Sequence, residues 1–187
     1  MRWTWMVGIS AVLVAGMSSV AEARPLETGE YTNEFHGVVE DFCDVAGLTV
    51  EFDTVVEGRY SARIHGSQPG PEEPVYLSEH LEVTRTFTAG DNVVTGSDSV
   101  LNHDLTITDN DDGTLTIIYL STGNATLYGA DGKAIGRNPG QVRTELVVDH
   151  NGTPGDPRDD VLLSETQIKG STGRSDDFCE VVVPALT

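Results

Sequence analysis

The sequence predicts a single all-β domain built as an antiparallel up-and-down β-barrel of about eight to ten strands, closed by one disulfide. Three observations carry this. From Phe35 onward, short runs of alternating apolar and polar residues are separated by Gly, Asn, Asp and Pro clusters, and no stretch of ten or more residues keeps a helical period. Cys43 and Cys179 are the two cysteines of the chain and stand near the two ends of that region. Short links between consecutive strands favour a meander, and closing it into a barrel removes the exposed edges of an open sheet. A β-sandwich is the alternative arrangement.

The chain opens with a leader. Arg2 is followed by an apolar stretch from Met6 to Met17 and a small-residue exit at Ala21-Glu22-Ala23, so residues 1–23 read as a secretory signal cleaved before Arg24. Export places both thiols in an oxidising compartment, where one bridge between Cys43 and Cys179 is the simplest outcome. Residues 24–34 are expected to form a flexible mature N-terminus, and 35–187 the domain. The length suits one domain with a real core.

Within the domain, Leu48, Val50 and Phe52 alternate with Thr49, Glu51 and Asp53, and Tyr60, Ala62 and Ile64 with Arg59, Ser61 and Arg63. A tight turn near Glu57-Gly58 would make these two runs a hairpin. Residues 66–74, with three prolines, read as a loop. Strand-like runs follow at Tyr76 to Phe87, Val93 to Thr108, Leu115 to Ser121, Ala125 to Tyr128, Val142 to Val148 and Val161 to Ile168. The links Asn110 to Gly113, Thr122 to Asn124, Ala130 to Lys133 and Asn138 to Gly140 carry residues suited to tight reversals.

Charge narrows the partners. The formal net charge is −19, with 30 acidic against 11 basic residues, and Arg2 and Glu22 cancel within the leader, so the mature chain keeps it all. A field of that sign repels phosphate backbones and anionic lipids, so neither nucleic-acid binding nor membrane insertion is expected. Acidity also serves plain solubility. A G-x-S-x-G elbow, H-E-x-x-H and a phosphate-cradling glycine loop are all missing, and no metal or cofactor is expected.

The stretches Ile107 to Ile117, Tyr128 to Lys133, Val148 to Pro154 with Asp156-Pro157 and Asp159-Asp160, and Lys169 to Arg174 ahead of Asp177-Phe178-Cys179, together with Asp41-Phe42-Cys43, resemble a group of small secreted actinobacterial proteins. The resemblance implies secretion and a β-rich domain, and carries over no catalytic residue. By analogy of fold alone, the expected barrel is lipocalin-like or allene-oxide-cyclase-like.

Barrels bind ligands through inward side chains, so polar residues on an apolar phase are the candidates. Arg85 falls in phase with Leu81, Val83 and Phe87, and His103 with Leu101, Leu105 and Ile107. A buried arginine needs a carboxylate, so Arg85 either closes an internal ion pair, with Glu165 as a candidate, or anchors an anionic headgroup. His103 is either a satisfied core or surface histidine or a proton donor and acceptor within the cavity. Tyr60 and Tyr119 fall on apolar phases and offer hydroxyls there. Asp149, Asn151, Asp156, Asp159 and Asp160 gather in one loop that a hard cation such as calcium would find rich in oxygen, but the spacing matches no EF-hand and the loop reads as metal-free.

These residues point to a secreted, non-enzymatic barrel that binds a small apolar or anionic amphipathic molecule through Arg85, His103, Tyr60 and Tyr119. Two alternatives stand beside it. One is a barrel isomerase or cyclase using His103 with Tyr119 or Glu165, and the other is a structural or interaction module of the cell envelope.

Overall fold

The computed structural model describes residues 26–64, 73–171 and 173–187. The leader and most of the loop at 66–74 lie outside them. Over the described residues the chain is all-β, with seven strands in one antiparallel sheet whose spatial order is the chain order: β1 (Glu27–Val39), β2 (Val50–Ile64), β3 (Val75–Ala89), β4 (Asn92–Asp109), β5 (Thr114–Tyr128), β6 (Ala134–Asp149) and β7 (Val161–Lys169). No ladder joins β7 to β1 among the described residues, so the sheet is open where a closed barrel was expected.

The strands are fewer and longer than the sequence suggests. Gly58 lies within β2 opposite Tyr31 and Leu81, so the expected hairpin at Glu57-Gly58 is one continuous strand. Gly123 faces Gly140 across β5 and β6, and Pro139 faces Asn124, which places the expected turns at Thr122 to Asn124 and Asn138 to Gly140 inside strands as well. The reversals at Asn110 to Gly113 and Ala130 to Lys133 do form, with Asp111, Gly113 and Gly132 in the left-handed region. At the other end, Glu27 to Glu34 belong to β1 rather than to a flexible N-terminus. Pairing along all of β2 fixes them.

Glycines in β1 and β2 have a spatial reason. Gly29 faces Tyr60, Tyr31 faces Gly58 and Gly37 faces Phe52, so each aromatic ring lies over a glycine of the neighbouring strand. A methyl group added at Gly58 would sit 2.3 Å from the Tyr31 ring, and one at Gly29 would sit 2.4 Å from that of Tyr60. The absent side chains are the seats of the rings.

One face of the sheet is the inner one. By register, Val50, Phe52, Val56, Gly58 and Tyr60 of β2 share it with Leu81, Val83, Arg85 and Phe87 of β3, Val94, Asp98, Val100 and Asn102 of β4, and Leu127 of β5. A helix the sequence reading does not anticipate, α1 (Phe178–Leu186), packs on this face against β4 and β6. Asp177 caps it, accepting from the backbone amides of Cys179 and Glu180 at 2.9 and 3.0 Å. At its far end, Asn92 donates to the Leu186 carbonyl at 3.1 Å.

Val182 and Leu186 of α1 enter one buried cluster with Phe42, Val50, Phe87, Val94 and Leu127, edged by Val39 and Ile135. That cluster draws on β1 through β6, which in a flat sheet would span roughly 24 Å at the usual strand spacing. Phe178 of α1 meets Phe42, just after β1, with ring centroids 6.0 Å apart, and Val181, one turn on, lies over Gly136 of β6; a helix about 10 Å wide reaches both only if the sheet curls around it.

Phe42, Phe87 and Phe178 meet in tilted and edge-on contacts with centroids 5.4 to 6.1 Å apart, beside the Cys43–Cys179 disulfide. Phe42 sits on a single 3-10 turn at Phe42–Asp44, after β1. The bridge therefore ties the end of β1 to α1, not a first strand to a last. β7 is exposed along its whole length, and Val161, Leu162, Leu163 and Ile168 are each about half exposed.

Candidate functional site

The inner face has two halves. At the α1 end it is apolar and filled, and the space left beside α1, between Leu127, Gly136, Phe178 and Val181, is only about 10 Å³. That is barely room for one water molecule. Toward the other end, a second buried cluster of Val56, Leu81 and Val83, with Tyr31 and Val100 packed against it, forms a floor. Beyond that floor the inner positions turn polar.

There the side chains form a row across four strands. Tyr31 of β1 donates to Glu79 of β3 at 2.6 Å, Asn102 of β4 donates to the other Glu79 oxygen at 3.2 Å, and Ser121 of β5 donates to the Asn102 carbonyl at 2.6 Å. Register explains the row, because Glu79 faces Asn102 and Asn102 faces Ser121. Next along it, Asp104 accepts from the Leu77 amide at 2.7 Å and faces Tyr119 across β4 and β5. Tyr60 donates to Glu27 at 2.7 Å, closing the row on the β1 side.

The environment shifts these groups in one direction. Burial pushes the Tyr31 hydroxyl well above its ordinary range, and the Glu79 carboxylate adds to it. Tyr60 is raised chiefly by its hydrogen bond to Glu27. Tyr119 is raised by burial first, while a hydrogen bond from Thr144 opposes the effect. Burial also pushes Asp104 up to about 6, with the Leu77 amide and His103 opposing and Glu79 assisting. Carboxylates and hydroxyls thus crowd a partly desolvated surface.

The sign of the Asp104 shift fixes a pH dependence. Its carboxyl binds a proton more tightly in the folded chain than in the unfolded one, so its contribution to stability is fully present below about 4 and is lost as pH rises through about 6. Asp160 shifts in the same direction. Comparing wild type with Asp104→Asn therefore isolates Asp104. Urea unfolding at a series of pH values is expected to show the variant gaining relative stability as pH rises through that window, and parallel curves would refute the assignment.

Arg85 shares the inner face with Leu81 and Val83, as its phase predicts. Its partner is Asp98 rather than Glu165, in an ion pair whose side chains are 12% and 6% exposed. Burial lowers the guanidinium only to about 10, so it stays charged at neutral pH. Tyr60 and Tyr119 also lie inside. Glu165 approaches Tyr119, which donates to it at 3.4 Å.

His103 does not join them. The inner phase of β4 runs through Val94, Asp98, Val100, Asn102 and Asp104, so His103 points to the outer face with Leu101 and is exposed. Leu101 and Leu105 are 45% and 36% exposed, so the leucines that suggested the opposite phase are surface residues. A β-bulge between Asp104 and Thr106 then returns Ile107 to the inner phase. His103 is thus not assembled with Tyr119 or Glu165 as a proton-transfer set.

Three carboxylates of the acidic loop at 149–160 spend oxygens locally, while one oxygen of Asp160 is buried with no hydrogen-bond partner. Asp149 accepts from the Asn151 amide at 2.9 Å, Asp159 accepts from Thr153 at 2.8 Å, and Asp156 pairs with Arg158. Among the described residues, no three His, Cys, Asp or Glu side chains are gathered in an arrangement that could hold a metal ion. No helix among them is long and apolar enough to cross a membrane.

Compared with protein-family models, curated proteins and solved structures, the chain finds no match in any of the three. The residues of the polar row that phase reasoning missed are Tyr31, Glu79, Asn102, Asp104 and Ser121. The signal was present in β4, where Val94, Asp98, Val100 and Asn102 fall in one phase.

Proposed function

We propose that this chain is a secreted, non-enzymatic binding module whose curled sheet acts as a barrel-like receptacle for a small amphipathic molecule. The carrying observation is the row from Tyr31 through Glu79 and Asn102 to Ser121, set on the same face as the apolar floor of Val56, Leu81, Val83 and Val100. An apolar floor beside a few fixed polar groups is the usual make-up of a small-molecule site. Because Asp98 already neutralises Arg85, and carboxylates dominate the row, the polar end of the ligand is a hydrogen-bond donor such as an amine or hydroxyl. This replaces the anionic headgroup expected from Arg85 alone. The leader and the disulfide support secretion.

The fluorescent amine 1-aminoanthracene tests this reading. Saturable enhancement is expected, with displacement by dodecylamine. Glu79→Gln removes a carboxylate acceptor, whose hydrogen bonds are worth about 1.5 to 3 kcal/mol, so it is expected to weaken binding by about tenfold or more. Absence of saturable enhancement, or equal affinity in the variant, would overturn it.

A further inference from the structure

A cleft of about 380 Å³ opens where the chain leaves β7, lined by Leu120, Pro139, Gln141, Arg143, Lys169 and Ser171 with the backbone of Gly140, Gly170 and Gly173. Arg143 and Lys169 face each other directly across β6 and β7. Like charges in that position repel. Register creates the arrangement, because Thr144 faces Gln167 and the bulge at Arg143/Thr144 brings Lys169, instead of Ile168, opposite Arg143.

Among the described residues, no carboxylate pairs with either cation. Arg59, Arg85, Lys133, Arg158 and Arg174 each have a carboxylate within salt-bridge distance. Arg143 and Lys169, like Arg63 and Arg137, have none among the described residues, although the chain carries 30 acidic side chains; Arg143 and Lys169 differ in standing opposite each other. On its other side Arg143 faces Leu120, and Pro139 adds a second apolar surface. By strand alternation these residues lie on the face opposite Tyr119 and Thr144, so the cleft is separate from the polar row.

We propose that this cleft binds a small oxyanion, a carboxylate or phosphate, carried on an apolar body. The anion bridges the Arg143 guanidinium and the Lys169 ammonium, relieving their repulsion, and the apolar part lies on Leu120 and Pro139. The volume falls within the range of small-molecule sites, about 300 to 1,000 Å³.

The test is titration of the mature protein with decanoate, followed by backbone amide NMR. Shifts are expected at Gln141, Arg143, Lys169, Gly170 and Gly173, saturating at a lower concentration than with acetate. Decyl phosphate run in parallel separates the two oxyanions, and saturable binding of either at these amides supports the site. Lys169→Glu sets a carboxylate opposite Arg143, which favours folding while filling the anion's place, and is expected to weaken binding by about tenfold or more. Lys169→Arg should retain it. The proposal is overturned if neither probe gives saturable shifts, if the shifts map to Tyr31, Glu79 and Asn102, if acetate binds as tightly as decanoate, or if a folded Lys169→Glu protein binds as wild type does.

Discussion

Replacing both Cys43 and Cys179 by alanine is expected to lower the unfolding free energy by roughly 4 to 5 kcal/mol. The bridge spans 136 residues, so it restricts nearly the whole folded chain in its unfolded state. Chain entropy is the first part of the effect. The second is local, because α1 has nine residues with Pro184 inside, too few to persist as a helix without its packing. Its Val182 and Leu186 are almost fully buried, so fraying of α1 opens the cluster that the sheet is curled around. Urea unfolding of the double variant measures the loss. A midpoint within error of wild type would show that the aromatic contacts of Phe178 hold α1 without the bridge.

Asp98→Ala is expected to cost about 3 to 5 kcal/mol, because it strands a guanidinium in the interior. Arg85 and Asp98 lie between the two apolar clusters, with Arg85 two residues from Phe87 on one side and from Val83 on the other, and Asp98 directly opposite Val83. Their pairing is forced by burial. Arg85→Met combined with Asp98→Leu replaces the pair by apolar volume and is expected to be neutral or more stable than wild type by about 1 to 4 kcal/mol. One oxygen of Asp98 is buried with no hydrogen-bond partner, which strengthens the case for the apolar replacement. If the single variant is mild and the double variant severe, the pair is instead a net source of stability. Thermal unfolding of the three proteins decides it.

The class of the fold was legible because alternation along β3 is regular and the reversals at Asn110 to Gly113 and Ala130 to Lys133 carry turn residues with the needed backbone freedom. The strand count was not. Glycine and proline signal turns when read locally, yet Gly58, Gly123 and Pro139 are held in ladders by neighbours far away in sequence. Long pairing overrides local preference there. Closure failed for a related reason, since alternation says which residues pair with a face but not whether the last strand meets the first.

At the site, the phase rule placed Arg85, Tyr60 and Tyr119 correctly and misplaced His103. The rule assumes that apolar residues point inward, and in β4 the inner phase is held by Asp98, Asn102 and Asp104 while Leu101 faces solvent. A surface that gathers polar side chains inside inverts the usual signal along part of a strand. In the acidic loop at 149–160, read from its Asp and Asn content as turn chemistry, Asp149 and Asp159 accept from an amide and a hydroxyl of the loop itself.

The crossed seating of Tyr31 on Gly58 and Tyr60 on Gly29 sets terms for how this sequence can change over time. A larger residue at either glycine strikes a ring, and a smaller one at either tyrosine leaves a hollow and takes a hydroxyl donor from Glu79 or Glu27. Single substitutions at these positions are therefore each penalised, while a matched change in both members of a seat keeps its volume. The four sites are coupled two by two, so a lineage that loses a ring here is expected to fill the glycine opposite it.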